Sequence, residues 1–338
     1  MQKLRERCFG QREFPQEVLD WMAQENLWNI WVPKSYGGLE MTLAEGLEKL
    51  RSLAQMDGSL GWTVTLCSGA NFFIGNLREG ASKEIFADPR EPVCFGGSGG
   101  VFGTAEKLGD GYVVSGVWKY ATGAPYLTHF TLNAKILEKG EEVLTAENIP
   151  LVRSFVVKRE DVEIIQDWNT MGLKATATHS FVIKSKWIHE KFGFVYDESM
   201  LPHDIFKVPF AVFADLTLWV NYIGMAAHIL EEAKKIASPD VALYRLLALV
   251  TKTDHQVMEF AERVQRMIDR GEELPQSLIN EIHSEASDTV RSLSGAIISV
   301  YPQLGIRAAT ENHPLNQAFR DYFTATQHHI FSELGRRS

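Results

Sequence analysis

Cysteine is scarce in this chain: three in 338 residues (Cys8, Cys67 and Cys94), odd in number and with no close spacing. That excludes a disulfide framework and a zinc knuckle, and it suits a reducing, cytoplasmic setting. A basic excess is lacking too. Lys+Arg 34 against Asp+Glu 43 gives a net charge of −9, so a dedicated nucleic-acid-binding protein is not expected, although a local pocket for a small anion stays open. There is no uninterrupted apolar run of membrane-spanning length. The most apolar stretch, 206–230, carries Lys207, Pro209, Asp215, Asn221 and His228 and reads as a buried helix, so no membrane association is expected. The opening residues MQKLRERCFGQREF lack the apolar core of a signal peptide. Metal-site signatures are missing as well: neither Glu-x-x-His nor His-Glu-x-x-His occurs, so no metal centre is expected.

What is present falls into three compositional zones, and the length alone calls for more than one core. Residues 1–90 read as an N-terminal helical domain. Pro15 opens a segment with Val18, Leu19 and Met22 at helical spacing, and Thr42 stands three residues before Glu45 in a capping-box pattern. Residues 91–203 read as a central β-domain, a barrel or sandwich: short β-branched and aromatic runs alternate with turn signals such as Gly109-Asp110-Gly111. Residues 204–338 read as a C-terminal four-helix bundle, with 3.6-residue periodicity over 211–236, 243–268 and 278–300 and a last helix over 315–334. The fold class is α+β multidomain.

Three segments invite a chemical reading. Gly96-Gly97-Ser98-Gly99-Gly100 lacks the Gly-Lys-Ser/Thr ending of a phosphate loop and is expected to be a mobile loop entering the β-domain. Residues 115–124 and 168–178 each place aromatic walls beside hydroxyls and small residues, the combination a flat heteroaromatic cofactor needs; structural strand ends would give the same texture. In the C-terminal run Arg320-Asp321-Tyr322-Phe323-Thr324-Ala325-Thr326-Gln327-His328-His329, helical spacing puts Asp321, Thr324 or Ala325, and His328 on one face, with Arg320 and Asp321 able to cap and lock the bundle. Helical geometry would turn His328 and His329 about 100° apart.

Taken together, these segments resemble the acyl-CoA dehydrogenase superfamily over nearly the whole length and in the right order. The resemblance rests on LWNIWVPKSYGG (27–38), on Asp57-Gly58-Ser59-Leu60-Gly61-Trp62, on 116–124, on 172–183, and on Ile223-Gly224-Met225-Ala226-Ala227. It implies a helical N-domain, a β-domain and a four-helix bundle, a homodimer or homotetramer, and a flavin between β-domain and bundle. Thr122, with Tyr120 and Ala121, would then meet the ring edge, with Thr122 donating, while Trp168, Thr176 and Thr178 would line the pocket. The dehydrogenases' Thr-Glu-Pro entry to the β-domain and their C-terminal Tyr-Glu-Gly-Thr base context are both absent. RDYFTATQHH instead resembles the superfamily's flavin-dependent monooxygenase branch, which takes reduced flavin from a separate reductase and works on small, often aromatic substrates. Oxygen chemistry on reduced flavin calls for a proton donor or a polar partner to the substrate. By position that is His328, with His329 second, as an imidazole titrating near neutrality.

The branch's usual histidine on the N-terminal helix has no counterpart in 66–72, and the bundle is abbreviated over 236–244, without the Arg and Phe-Gly that reach a flavin diphosphate. The chain is short for three such domains, at the early N-terminus and inside the bundle. FMN, or FAD held loosely and supplied reduced, is therefore expected over FAD gripped as in the dehydrogenases. An acyl-CoA dehydrogenase with a different base, and a degenerate non-catalytic scaffold member, are the alternatives.

Overall fold

A computed structural model describes residues 2–88, 91–237 and 241–332. Five helices come first: α1 (Gln2–Cys8), α2 (Gln16–Gln24), α3 (Leu43–Met56), α4 (Gly58–Asn71) and α5 (Glu79–Ile85). The capping box that opens α3 forms as the spacing predicts, with the Thr42 hydroxyl accepting from Glu45 N–H and the Glu45 carboxylate accepting from Thr42 N–H at 2.9 Å. Asp57 is extended, so it both ends α3 and caps α4, its Oδ1 accepting from Leu60 N–H at 2.9 Å. Nearly every residue of α4 is buried, because α3, the sheet and the bundle pack around it.

Eight strands follow: β1 (Phe95–Leu108), β2 (Gly111–Ala121), β3 (His129–Glu138), β4 (Glu141–Glu142), β5 (Val152–Lys158), β6 (Glu163–Ile165), β7 (His179–His189) and β8 (Gly193–Phe194). They form one mixed sheet in the order β6-β7-β2-β1-β3-β5-β8, with β4 on β3; only the β1–β3 pairing is parallel. The predicted turn at Gly109-Asp110 closes a two-residue hairpin between Leu108 and Gly111, with Gly109 at φ +62°. Trp118, fully buried, stacks on Phe181 at 5.4 Å and donates its ring N–H to Asn133 O.

The glycine run is not the expected loop. Gly96–Gly100 lies within β1, and its parallel register to β3 shifts between Ser98 and Val101. A Cβ on Gly97 would sit 1.8 Å from Thr131 O, so glycine there permits a close backbone approach. The run also spells Gly-x-Ser-x-Gly, but Ser98 lies inside a strand and not on a strand-to-helix turn, so it is no nucleophile elbow.

The bundle comprises α6 (Phe210–Lys234), α7 (Val241–Asp269), α8 (Gln276–Val300), the short α9 (Ile306–Ala309) and α10 (Pro314–Ala325). Helix α6 is long and apolar enough to cross a membrane, yet 83% of its most apolar window is buried inside the protein, where α3, α4, α7, α8 and α10 surround it. Arg5 ties α1 to this core, donating to Glu231 at 2.7 Å and to the carbonyls of Gln55 and Met56. The last helix departs from expectation: α10 ends at Ala325, and the chain turns into a single 3₁₀ turn at His329–Phe331. The end of the expected helix, 333–334, lies outside the described residues. Helical periodicity therefore does not set where His328 and His329 point.

Candidate functional site

The end of β2 and the segment before β7 meet at three threonines. Thr122, Thr176 and Thr178 are all buried, and their hydroxyls form a chain: Thr122 Oγ1 to Thr178 Oγ1 is 3.2 Å and Thr178 Oγ1 to Thr176 Oγ1 is 2.7 Å. Thr176 Oγ1 then donates to Leu173 O at 2.7 Å. Gly123 N–H to Thr176 O, 2.7 Å, binds the two segments together. Helix α4 forms a wall here, with Cys67 Sγ donating to Thr122 O at 3.6 Å and Thr63 approaching Gly123. The Thr63 hydroxyl is fully buried and has no hydrogen-bond partner among the described residues.

Trp168 is half-buried beside this chain and anchored at both ends. Its ring N–H donates to Leu173 O at 2.9 Å, and its backbone N–H donates to His179 Nδ1 at 3.0 Å. Three non-glycine residues here have left-handed backbones: Tyr120 (φ +66°), Leu173 (φ +50°) and Ala177 (φ +43°). Such conformations cost about 1–3 kcal/mol each and gather where the surroundings over-determine the backbone for function.

The bundle reaches this loop through α10. Asp321 Oδ1 accepts from Leu173 N–H at 2.6 Å, and Arg320 donates to Met171 O at 2.7 Å. Arg320 and Asp321 thus lock the β-side loop to the bundle. The approach is tight enough that a Cβ on Gly172 would lie 2.2 Å from the Arg320 carbonyl. Asp321 also faces Asp57 across Gly58. Burial, then the Asp57 charge, pushes Asp321 up to about 7. Asp57 accepts from Leu60 N–H on one oxygen and from Gln317 on the other, whereas Asp321 Oδ2 has no partner among the described residues, so Asp321 is the member that keeps a proton.

His328 packs edge-to-face on Trp62 at 5.6 Å, and His329 stacks on it at 4.8 Å. The two rings lie face against face instead of 100° apart, because the helix has already ended. His328 Nδ1 accepts from Ile330 N–H at 3.4 Å, which leaves the proton of the neutral ring on Nε2. Burial, then His329, pulls His328 down to about 4, so it does not titrate near neutrality as the sequence led us to expect. His329 is exposed.

Thr122, Thr176, Thr178 and Trp168 are therefore brought together, and Ala121 is buried beside them, paired with His179. Tyr120 is 68% exposed and stands outside the cluster. Among the described residues no hydrogen bond or ring contact joins His328 to the threonines; α4 connects them, with Trp62 on the histidine and its neighbour Thr63 on Gly123. Sequence reasoning missed Thr63, Cys67 and the Asp57–Asp321 pair; Asp57's cap position was the one visible signal.

The donors and planes fit an isoalloxazine: an anchored indole, a hydroxyl chain and an orphaned buried hydroxyl. The chain carries the acyl-CoA dehydrogenase-like fold, and residues 222–333 match the family model Acyl-CoA dehydrogenase, C-terminal domain. Over 97% of its length the chain is 27% identical to an indole-3-acetate monooxygenase of Acinetobacter baumannii, of which it covers 88%. The HsaA monooxygenase structure from Mycobacterium tuberculosis superposes with a TM-score of 0.88 at 19% identity, covering 98% of this chain and 91% of that one. XiaF from a Streptomyces species, solved with FADH2 and glycerol, gives 0.87 at 20% identity over 97% and 88%.

Proposed function

We propose that this protein is a flavin-dependent monooxygenase that uses reduced flavin and oxygen to hydroxylate a small aromatic substrate. The observation that carries the reading is the pairing of a buried threonine–tryptophan platform with a neutral histidine where a dehydrogenase would need a carboxylate base. Thr122 and Trp168 would meet the ring, backed by Thr178 and Thr176 in the hydroxyl chain, with Ala121 and Gly123 allowing close backbone approach. When bound, reduced flavin would supply the oxygen-activating chemistry. His328 would act as a neutral Nε2–H donor toward the substrate or the activated oxygen, with Trp62 fixing its ring plane. Neither nearby carboxyl is assigned the role of base: Asp57 is tied up by two donors, and Asp321 holds Leu173 N–H and keeps its proton. The likeness to XiaF, solved with FADH2, supports the flavin. Electrons would come from a partner reductase, and a homodimer or homotetramer follows from the superfamily likeness. Free, buried Cys8, Cys67 and Cys94 suit a cytoplasmic setting.

Anaerobic titration with oxidised and reduced FMN and FAD, followed by oxygen and a panel of indoles and phenols, tests this. A product one oxygen atom heavier is expected. Anaerobic bleaching of bound oxidised flavin by an acyl-CoA would overturn the reading.

A further inference from the structure

We infer that Thr176 is a positioning residue that acts through Thr178 to keep the Thr122 hydroxyl proton turned inward, so that Thr122 meets the ring as an acceptor. This rests on the flavin reading above and reverses the donor role the sequence suggested. A threonine hydroxyl has one proton and two lone pairs. Leu173 O cannot donate, so the 2.7 Å contact consumes the proton of Thr176. The 2.7 Å contact from Thr178 to Thr176 must then use the proton of Thr178. At 3.2 Å, Thr122 in turn gives its proton to Thr178. Thr176 is fully buried, so its proton has no solvent alternative.

The polarity is anchored from three directions. Leu173 O also accepts the Trp168 ring N–H, so both of its lone pairs are occupied, while Leu173 N–H is held by Asp321 and the residue sits in a left-handed conformation. The sink cannot turn to reverse the chain without breaking all three. Outward, Thr122 presents lone pairs only. Oxidised isoalloxazine has a bare central-ring nitrogen, which would oppose those lone pairs; reduction converts that nitrogen to N–H, which they can accept. The hydroxyl chain therefore discriminates between redox states of one ligand, and Thr176 sets the discrimination without touching the ring.

The test is the ratio of dissociation constants for oxidised and reduced FMN, each measured anaerobically by fluorescence on the full chain. Wild type is expected to bind the reduced form at least tenfold more tightly. Thr176→Val frees Thr178 to donate to Thr122, releases the Thr122 proton outward, and is expected to lower the ratio about tenfold, chiefly by tightening the oxidised form; that corresponds to ~30 mV in the two-electron potential of the bound flavin. Thr176→Ser should restore the wild-type ratio. Thr178→Val, which breaks the chain one link nearer, is expected to behave like Thr176→Val and serves if that variant does not fold. Equal weakening of both forms, or an unchanged ratio in the valine variants, overturns the inference and leaves the flavin reading intact. A wild-type ratio of one does the same. Wild type that binds neither form of FMN or FAD overturns both.

Discussion

His328 is neutral across the range in which the protein would work, and that limits it to donating through Nε2–H. Its neighbours explain why: Trp62 and His329 cover the ring on two sides, Nδ1 accepts a backbone N–H, and burial makes a second proton costly. His328→Ala is expected to reduce turnover by about 10²-fold, the usual contribution of a placed proton donor. Reduced-flavin affinity should stay within about twofold, because no described contact links the histidine to the threonines. Stopped product assays and flavin titrations on the same variant separate the two, and unchanged turnover removes the histidine from the reaction. His329→Ala, by contrast, takes away one covering ring, so it should raise the His328 pKa toward 6.5, visible by NMR titration of the ring. At this scale the sequence was informative about residue type but not about state. It pointed to His328, Thr122, Thr176, Thr178 and Trp168. It could not give the direction of the hydroxyl chain or the depressed imidazole, because both depend on neighbours distant in the chain.

Between elements, the decisive contact is the loop before β7 against α10. Leu173 is held from the bundle by Asp321 through its N–H and from the sheet side by Thr176 and Trp168 through its carbonyl, so one residue joins the two halves of the site. Gly172 makes that possible. Gly172→Ala would place a methyl 2.2 Å from the Arg320 carbonyl, force the loop off α10, and stretch both the Leu173–Asp321 and Met171–Arg320 hydrogen bonds. A loss of about 1–3 kcal/mol is expected from overpacking of this kind, read as a lower urea midpoint, together with weaker binding of both flavin forms. A variant as stable as wild type would show that the loop has room the structure denies it. Elements with local signals were legible in advance: the Thr42–Glu45 box, the Gly109-Asp110 hairpin, and the three long helices of the bundle. The misread elements lacked a local cause. The glycine run is a strand because Gly97 must pass close to Thr131 O, a contact between strands paired in parallel. Helix α10 gives way before His328 to a separate turn that His328 caps, its ring accepting from Ile330 N–H, and an imidazole does not stand out as a cap by type.

Across the whole molecule, buried titratable groups pull stability in opposite directions as pH changes. His129, His228 and His328 are held down to about 4, 3 and 4, chiefly by burial. Between about pH 4 and 6.5 the unfolded chain takes up protons there that the folded chain refuses, so acidification through this window destabilises the fold. Asp321 works the other way: with its folded pKa raised to about 7, it keeps a proton that the unfolded carboxyl has already lost, so its contribution is present at low pH and fades as pH rises through 7. Asp57, Gln317, Arg320 and the Leu173 N–H are the groups facing it, and Asp57 is itself raised by burial. The three histidines outweigh the one proton that Asp321 retains, and both effects fade together a little above pH 7, where the unfolded imidazoles and the folded carboxyl have each lost their protons. Stability should therefore climb from pH 4.5 and level off near pH 7.5, each titrating group contributing at most about 1.4 kcal/mol per pH unit. Urea midpoints over that range measure the curve. Asp321→Asn retains the acceptor for Leu173 N–H and removes the opposing proton, so it should steepen the climb between about pH 5 and 7. A climb of unchanged slope in Asp321→Asn would mean that the proton resides on Asp57, and that the α10 carboxylate is charged where it grips the loop.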